Sequence, residues 1–202
     1  MDRADITGLI LAGGRGSRLG GIDKGLQRWR GAPLALHVLR RLQPQVVTVL
    51  INANRNLDTY RTFGPDVIPD AAPRSFAGPL AGFLAGLEQC RTRYLLAVPC
   101  DSPLLPPDLA ARLGAAMAAT NTRIAHPRAA GRVQPVFCLM ESALHDDLRD
   151  FLAAGGSKVD AWTARHPTAI VDFTDAAAFE NINTPADLHR LDPTPARSAA
   201  SD

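Results

Sequence analysis

Short apolar runs alternate with stretches of helical spacing along most of this chain, and that alternation restricts it to few folds. The runs Ile6 to Leu11, Val46 to Ile51, Val67 to Pro69, Tyr94 to Pro99, Arg123 to His126, Val133 to Met140 and Ala169 to Phe173 read as strands. Several are apolar on both sides, as strands covered on two faces are. Between and around them, Pro33 to Gln43, Leu57 to Phe63, Gly78 to Cys90, Pro107 to Ala119, Ser142 to Ala154, Lys158 to His166 and Pro185 to Leu191 carry apolar residues at helical intervals. This predicts an α/β fold of three Rossmann-like layers, a mainly parallel sheet with helices on both faces. In such a sheet the C-terminal strand ends share one edge, and ligands bind outside it.

The first run leads straight into a loop, Gly13 to Lys24, that holds five glycines with Arg15, Arg18 and Lys24. A backbone so rich in glycine can turn its amides toward an anion. The clustered cations make a polyphosphate the natural ligand. The loop is not a Walker A sequence, because Lys24 follows Asp23 and precedes Gly25. Nor is it a dinucleotide fingerprint. Leu19 stands where the third glycine belongs, and no acidic residue lies at 34 to 38 to hold a ribose.

Asn52, Asp70 and Asp101 each follow an expected strand, so the same sheet edge should collect them beside the loop. Asp101 ends a segment, Leu95 to Cys100, that is otherwise apolar. A carboxylate in that place must be paired, hydrogen-bonded or metal-bound. One aspartate opposite a cationic loop suits magnesium, which takes few protein ligands and completes its shell with water and phosphate oxygens. An Asx turn over Asp101-Ser102-Pro103 fits the position equally well.

Composition excludes several classes. A net charge of +2 with dispersed basic residues gives no case for nucleic-acid binding or a polybasic membrane surface. No run approaches the roughly twenty apolar residues of a membrane span, and Met1-Asp2-Arg3 with a short apolar run does not read as a signal peptide. Cys90, Cys100 and Cys138 form no C-x-x-C pair, so neither a disulfide framework nor a zinc site is expected. The expected setting is a reducing cytoplasm. One domain over residues 1–191 accounts for the length, and residues 192–202, rich in Pro, Thr, Ala, Arg and Ser, read as a disordered tail.

The segments LAGGRGSRLGGIDKGL and VPCDSPLLPPDL together resemble those of the molybdenum cofactor guanylyltransferases, nucleotidyltransferases of the glycosyltransferase-A-like superfamily. INANRN from Ile51, VIPD ending at Asp70, GPLAGFLAGL from Gly78 and ENINTPADL from Glu180 extend the resemblance, in order, from residue 9 to 188. Gly13-Gly14 with Asp23-Lys24 resembles the guanylyl rather than the cytidylyl branch. Gly16 and Leu19 depart from the pattern, which more often has serine or alanine and methionine there.

The resemblance implies GTP contacts from the backbone of Leu11, Ala12 and Gly13. It implies a catalytic, phosphate-binding role for Lys24, help from Arg18 with the β and γ phosphates, and a Mg²⁺ ligand in Asp101. Asn52 and Asp70 are the implied nucleoside contacts; which reads guanine and which the ribose stays open. Asn181 and Asn183 flank Ile182 and face one side; in the superfamily such residues can touch the metal or the acceptor, and a structural turn fits them equally well. The implied reaction moves GMP from GTP to the terminal phosphate of molybdopterin or Mo-molybdopterin. Molybdopterin-delivering proteins and apo-molybdoenzymes are the implied protein partners. Alternatives are a molybdopterin cytidylyltransferase, a sugar- or polyol-phosphate nucleotidyltransferase and a nucleotide-binding module without catalysis.

Overall fold

The computed structural model describes residues 1–12, 23–70, 78–182 and 187. Its elements are β1 (Ile6–Leu11), β2 (Arg28–Trp29), β3 (Ala32–Pro33), α1 (Leu34–Leu42), β4 (Thr48–Asn52), α2 (Leu57–Arg61), β5 (Asp66–Ile68), α3 (Pro79–Gln89), β6 (Tyr94–Pro99), α4 (Leu109–Thr120), β7 (Ile124–Ala129), β8 (Arg132–Val133), β9 (Cys138–Glu141), α5 (His145–Ala153), α6 (Val159–Thr163) and β10 (Thr168–Phe173). Gly13, Arg18, Asn183, the tail at 192–202 and, apart from the helical Asp187, the expected helix from Pro185 lie outside the described residues.

The main sheet runs β10-β7-β9-β6-β1-β4-β5, with β8 paired to β7. β1 is parallel to both β4 and β6, β5 is parallel to β4, and β10 is parallel to β7. Among the described residues only β9, antiparallel to β6 and β7, and the short β8 run the other way in this sheet. The expected mainly parallel α/β sheet is therefore what forms.

Alternation along the strands explains the three layers. Ile6 and Ile10 of β1, with Leu96 and Val98 of β6, join a core that includes Ala35, Val38 and Leu42 of α1, Tyr60 of α2 and Leu113 of α4. Leu9, Leu95 and Ala97 point to the opposite face and pack with Leu84 of α3, Leu148 of α5 and Trp162 of α6. Two apolar faces per strand leave no solvated side, which is why these runs read as continuous.

Helix α3 approaches the sheet unusually closely. A methyl group on Gly82 would lie 2.5 Å from Leu11 Cδ2 and 2.6 Å from Asn52 Oδ1, and one on Gly86 would lie 2.6 Å from Leu9 Cδ2. Small residues at these two positions set the helix–sheet distance over the ends of β1 and β4.

One expectation needs correction. Val133 to Met140 is not one strand. Pro135 lacks the N–H that a ladder needs, and the chain turns there instead: Gln134 N–H donates to Pro127 O and Phe137 N–H to Gln134 O. β8 and β9 lie on either side of that turn. The β2–β3 hairpin was not expected, because its two-residue strands are too short to show a period. Its Trp29 packs with Leu34 and Ile182, and His37 holds the Trp29 carbonyl at 2.7 Å.

Candidate functional site at the sheet edge

The end of β1 joins the two halves of the site. Leu11 is opposite Asn52 on one side and Pro99 on the other. Just past the ladder, Ala12 N–H donates to Asn52 O at 2.8 Å and Cys100 N–H donates to Leu11 O at 3.1 Å. The expected nucleotide contacts Leu11, Ala12, Asn52 and Asp101 are thus backbone neighbours.

On the β6 side, Lys24 Nζ lies 3.4 Å from Asp101 Oδ2. These residues are 77 apart in sequence. The Asp101 side chain is 10% exposed and that of Lys24 is 32% exposed. Burial pushes the Asp101 carboxyl up, and the Lys24 ammonium opposes that shift. The carboxylate thus faces the lysine. A carboxylate so buried beside a partly exposed lysine is a hard oxygen donor to which a second cation would be suited. A divalent ion there would take one hard oxygen from the protein and the rest from phosphate and water, which fits the donor set. Among the described residues no group of three or more histidine, cysteine or acidic side chains gathers into a metal site.

On the β4 side, Asn52 Nδ2 donates to Asp70 Oδ1 at 2.8 Å and also to Ile68 O at 3.3 Å. Asn54 donates from Nδ2 to Asp70 Oδ2 at 2.9 Å, and its Oδ1 accepts from the Asp70 backbone N–H at 2.8 Å. Asp70 is therefore fixed by two asparagines, Asn52 at the end of β4 and Asn54 just beyond it. Asn52 is buried under Gly82, so its amide cannot swing freely.

Asn181 also reaches this edge. Its Oδ1 accepts from the Ser102 hydroxyl at 2.8 Å, and the following Ile182 N–H donates to Asp101 O at 2.8 Å. The C-terminal segment is thereby tied to the Asp101 loop.

Sequence reasoning missed a second buried carboxylate. Asp23 accepts from Tyr60 Oη at 2.6 Å and from Asn56 Nδ2 at 2.9 Å, with Arg55 Nε at 3.7 Å. Burial, then Cys100 and the hydrogen bond to Asp23, push the Tyr60 hydroxyl well up, so it stays protonated and donates. The signal available was the alternation Asn52-Ala-Asn54-Arg-Asn56, three amides in five residues. Cys100 is a buried packing residue, and burial pushes its thiol up as well.

The molecule is an α/β protein whose mainly parallel sheet carries a lysine–aspartate pair and a clamped asparagine–aspartate pair at its strand ends. Residues 8–169 match the family model described as the MobA-like NTP transferase domain, and the chain belongs to that family. A protein named molybdenum cofactor guanylyltransferase from Ralstonia nicotianae is 62% identical over 93% of this chain and 96% of its own length. One of the same name from Acidovorax sp. is 55% identical, covering 95% and 97%. Among solved structures, the molybdopterin-guanine dinucleotide biosynthesis protein A of Archaeoglobus fulgidus superposes with a TM-score of 0.75, at 20% identity, over 93% of this chain and 97% of that one. The 4-diphosphocytidyl-2C-methyl-D-erythritol synthase of Anaerococcus prevotii reaches 0.74 at 10% identity, covering 95% and 96%. These two likenesses concern the fold alone.

Proposed function

We propose that this chain transfers GMP from GTP to the terminal phosphate of molybdopterin, or of its molybdenum-bearing form. Molybdopterin guanine dinucleotide and pyrophosphate are the products. The observation that carries the reading is the Lys24–Asp101 pair at 3.4 Å, set one strand away from the Asn52–Asp70 pair. Relatives with 55–62% identity over nearly the whole chain bear the guanylyltransferase name. Cytidylyl transfer and transfer to a sugar or polyol phosphate have no comparable support.

In this reading an oxygen of the acceptor phosphate attacks the α-phosphorus of GTP in line. The new P–O bond forms as the bond to the pyrophosphate oxygen breaks, and the electron pair leaves with pyrophosphate. The attacking group is already an anion, so no enzyme nucleophile is required, and catalysis consists of positioning and charge stabilisation. Lys24 stabilises the negative charge developing around the transferred phosphorus, as a preorganised point charge. Arg18 serves the β and γ phosphates, and the backbone at Leu11, Ala12 and Gly13 approaches the nucleotide. Asp101 would hold a divalent ion, Mg²⁺ in our proposal, which when bound neutralises phosphate oxygens and orients the leaving group. Asn52 and Asp70 take the nucleoside: an anchored carboxylate can accept the paired N1–H and 2-amino donors of guanine. Asn181 and Asn183 serve the acceptor or metal side.

Cytoplasmic residence, with molybdopterin-delivering proteins and apo-molybdoenzymes as partners, belongs to the same proposal. Among the described residues no helix is long and apolar enough to cross a membrane, and Cys90, Cys100 and Cys138 are free thiols. The test incubates the protein with molybdopterin, Mg²⁺ and either GTP or CTP, and follows pyrophosphate and the dinucleotide. GTP-dependent formation of both supports the reading; pyrophosphate from CTP at equal rate overturns it.

A further inference from the structure

We propose that Asp23 and Tyr60 are positioning residues that hold Lys24 in its working place, making the nucleoside loop and the phosphate-binding lysine one mechanical unit. The inference rests on the role given to Lys24 above. Labour is divided between the end of β4 and the loop that follows it. Asn52 and Asn54 spend their amides on Asp70. Asn56 turns the other way, in a left-handed backbone conformation (φ 52°), and donates to Asp23. Asparagine tolerates that conformation better than most residues do. Tyr60, one helical turn further on, donates to the other Asp23 oxygen at 2.6 Å.

Asp23 is buried, and both its oxygens are engaged by that one loop and helix. The residue after it is Lys24, which opens a single 3-10 turn, Lys24–Leu26. Gly25 lets that turn settle directly onto the Tyr60 hydroxyl: a methyl group there would collide with Tyr60 Oη and lie 3.2 Å from Cys100 Sγ. The backbone on both sides of Lys24 is thereby fixed, while its side chain runs to Asp101. A lysine stem has four rotatable carbons and loses its aim when its base moves. Without the clamp, Lys24 Nζ would have no fixed origin from which to meet the phosphates.

The experiment measures the affinities of GTP and guanosine, guanosine by competition, for the full chain, Tyr60→Phe, Lys24→Ala and the double variant, with Mg²⁺ throughout. Tyr60→Phe removes one hydroxyl and keeps the ring in the core. GTP affinity should fall on the order of tenfold, in the range set by misplacement of one catalytic group. Guanosine affinity should stay within about twofold, and Tyr60→Phe should cost nothing further in the Lys24→Ala background, because the two changes remove one interaction. Equal losses for guanosine and GTP, or the same loss with and without Lys24, would overturn the inference and assign Tyr60 to general stability. If Tyr60→Phe does not fold, Asp23→Asn, which keeps the shape and one acceptor, is measured against the same two criteria. Failure of the function itself is read separately: the unaltered chain would then discriminate neither GTP from CTP nor itself from Lys24→Ala.

Discussion

Gly82→Ala probes the join between packing and nucleotide recognition, and Gly86→Ala is its control. Both positions lie in α3, against the sheet, and each would gain about 1 kcal/mol from the better helix propensity of alanine. Both also overpack, at a typical cost of about 1–3 kcal/mol. The atoms that must give way differ. At Gly86 they are the methyl groups of Leu9 and Leu95, the ends of flexible side chains. At Gly82 one is Leu11 Cδ2, but the other is Asn52 Oδ1, on a short amide held by Asp70 and Ile68. Gly86→Ala should therefore come out near neutral, within about 1 kcal/mol. Gly82→Ala should lose about 1–2 kcal/mol, or roughly 2–8 °C in melting temperature for a chain of this size. Moving the Asn52 amide also breaks its bond to Asp70, and a lost hydrogen bond of that kind costs about 1.5 kcal/mol, or roughly tenfold in GTP affinity. Thermal melts and GTP titrations on both variants supply the test. Gly82→Ala with unchanged melting and unchanged GTP affinity, or Gly86→Ala with the larger loss of affinity, would refute the argument.

Three further outcomes are expected. Asp101→Asn should melt no lower than the wild type at neutral pH, because burial raises the Asp101 pKa and the Lys24 side chain is 32% exposed. It should still lose turnover on the order of 10²–10³-fold; a wild-type rate removes Asp101 from the chemistry. Lys24→Ala should be the less stable of the two in melting experiments, since it leaves a buried carboxylate without its cation; equal stabilities would show that the pair at 3.4 Å contributes nothing. Asp147 anchors α5 to α6, accepting from Trp162 Nε1 at 2.8 Å, His166 Nε2 at 2.9 Å and Arg165 at 3.1 Å. Burial works against the ionised form, but those bonds and charges hold its carboxyl below the usual range. With a folded pKa below the unfolded one, its contribution is present above the ordinary carboxylate pKa of about 4 and lost as pH falls through the folded value. Asp147→Asn should flatten that part of a melting-temperature profile below about pH 5; an unchanged profile would exclude Asp147 as its source.

Much of this molecule is legible because its central strands β1 and β6 are buried on both faces. Continuous apolar runs such as Tyr94–Pro99 announce buried strands, and their ends announce the sheet edge on which Asn52 pairs with Asp70 and Asp101 follows β6. Proximity of Lys24 to Asp101 was less direct, since it depends on how a turn 77 residues away is anchored. That anchor, Asp23 with Tyr60 and Asn56, was invisible because each member reads locally as something ordinary: a turn aspartate, a core tyrosine, a helix-cap asparagine. Only burial and mutual distance distinguish the network. The reversed strand β9 was hidden for another reason. Its direction is set by the turn at Gln134 to Phe137, whose effect on pairing is tertiary. The hairpin at Trp29 owes its existence to packing with Leu34 and Ile182, which no local pattern encodes.

The central claim is that the lysine–aspartate and asparagine–aspartate pairs serve one guanine nucleotide. It is tested most directly by titrating the unaltered chain with GTP and CTP in the presence of Mg²⁺. GTP should bind at least about tenfold more tightly, because a site built to hydrogen-bond one base leaves polar groups unpaired with another. Equal affinities for the two nucleotides would contradict the account.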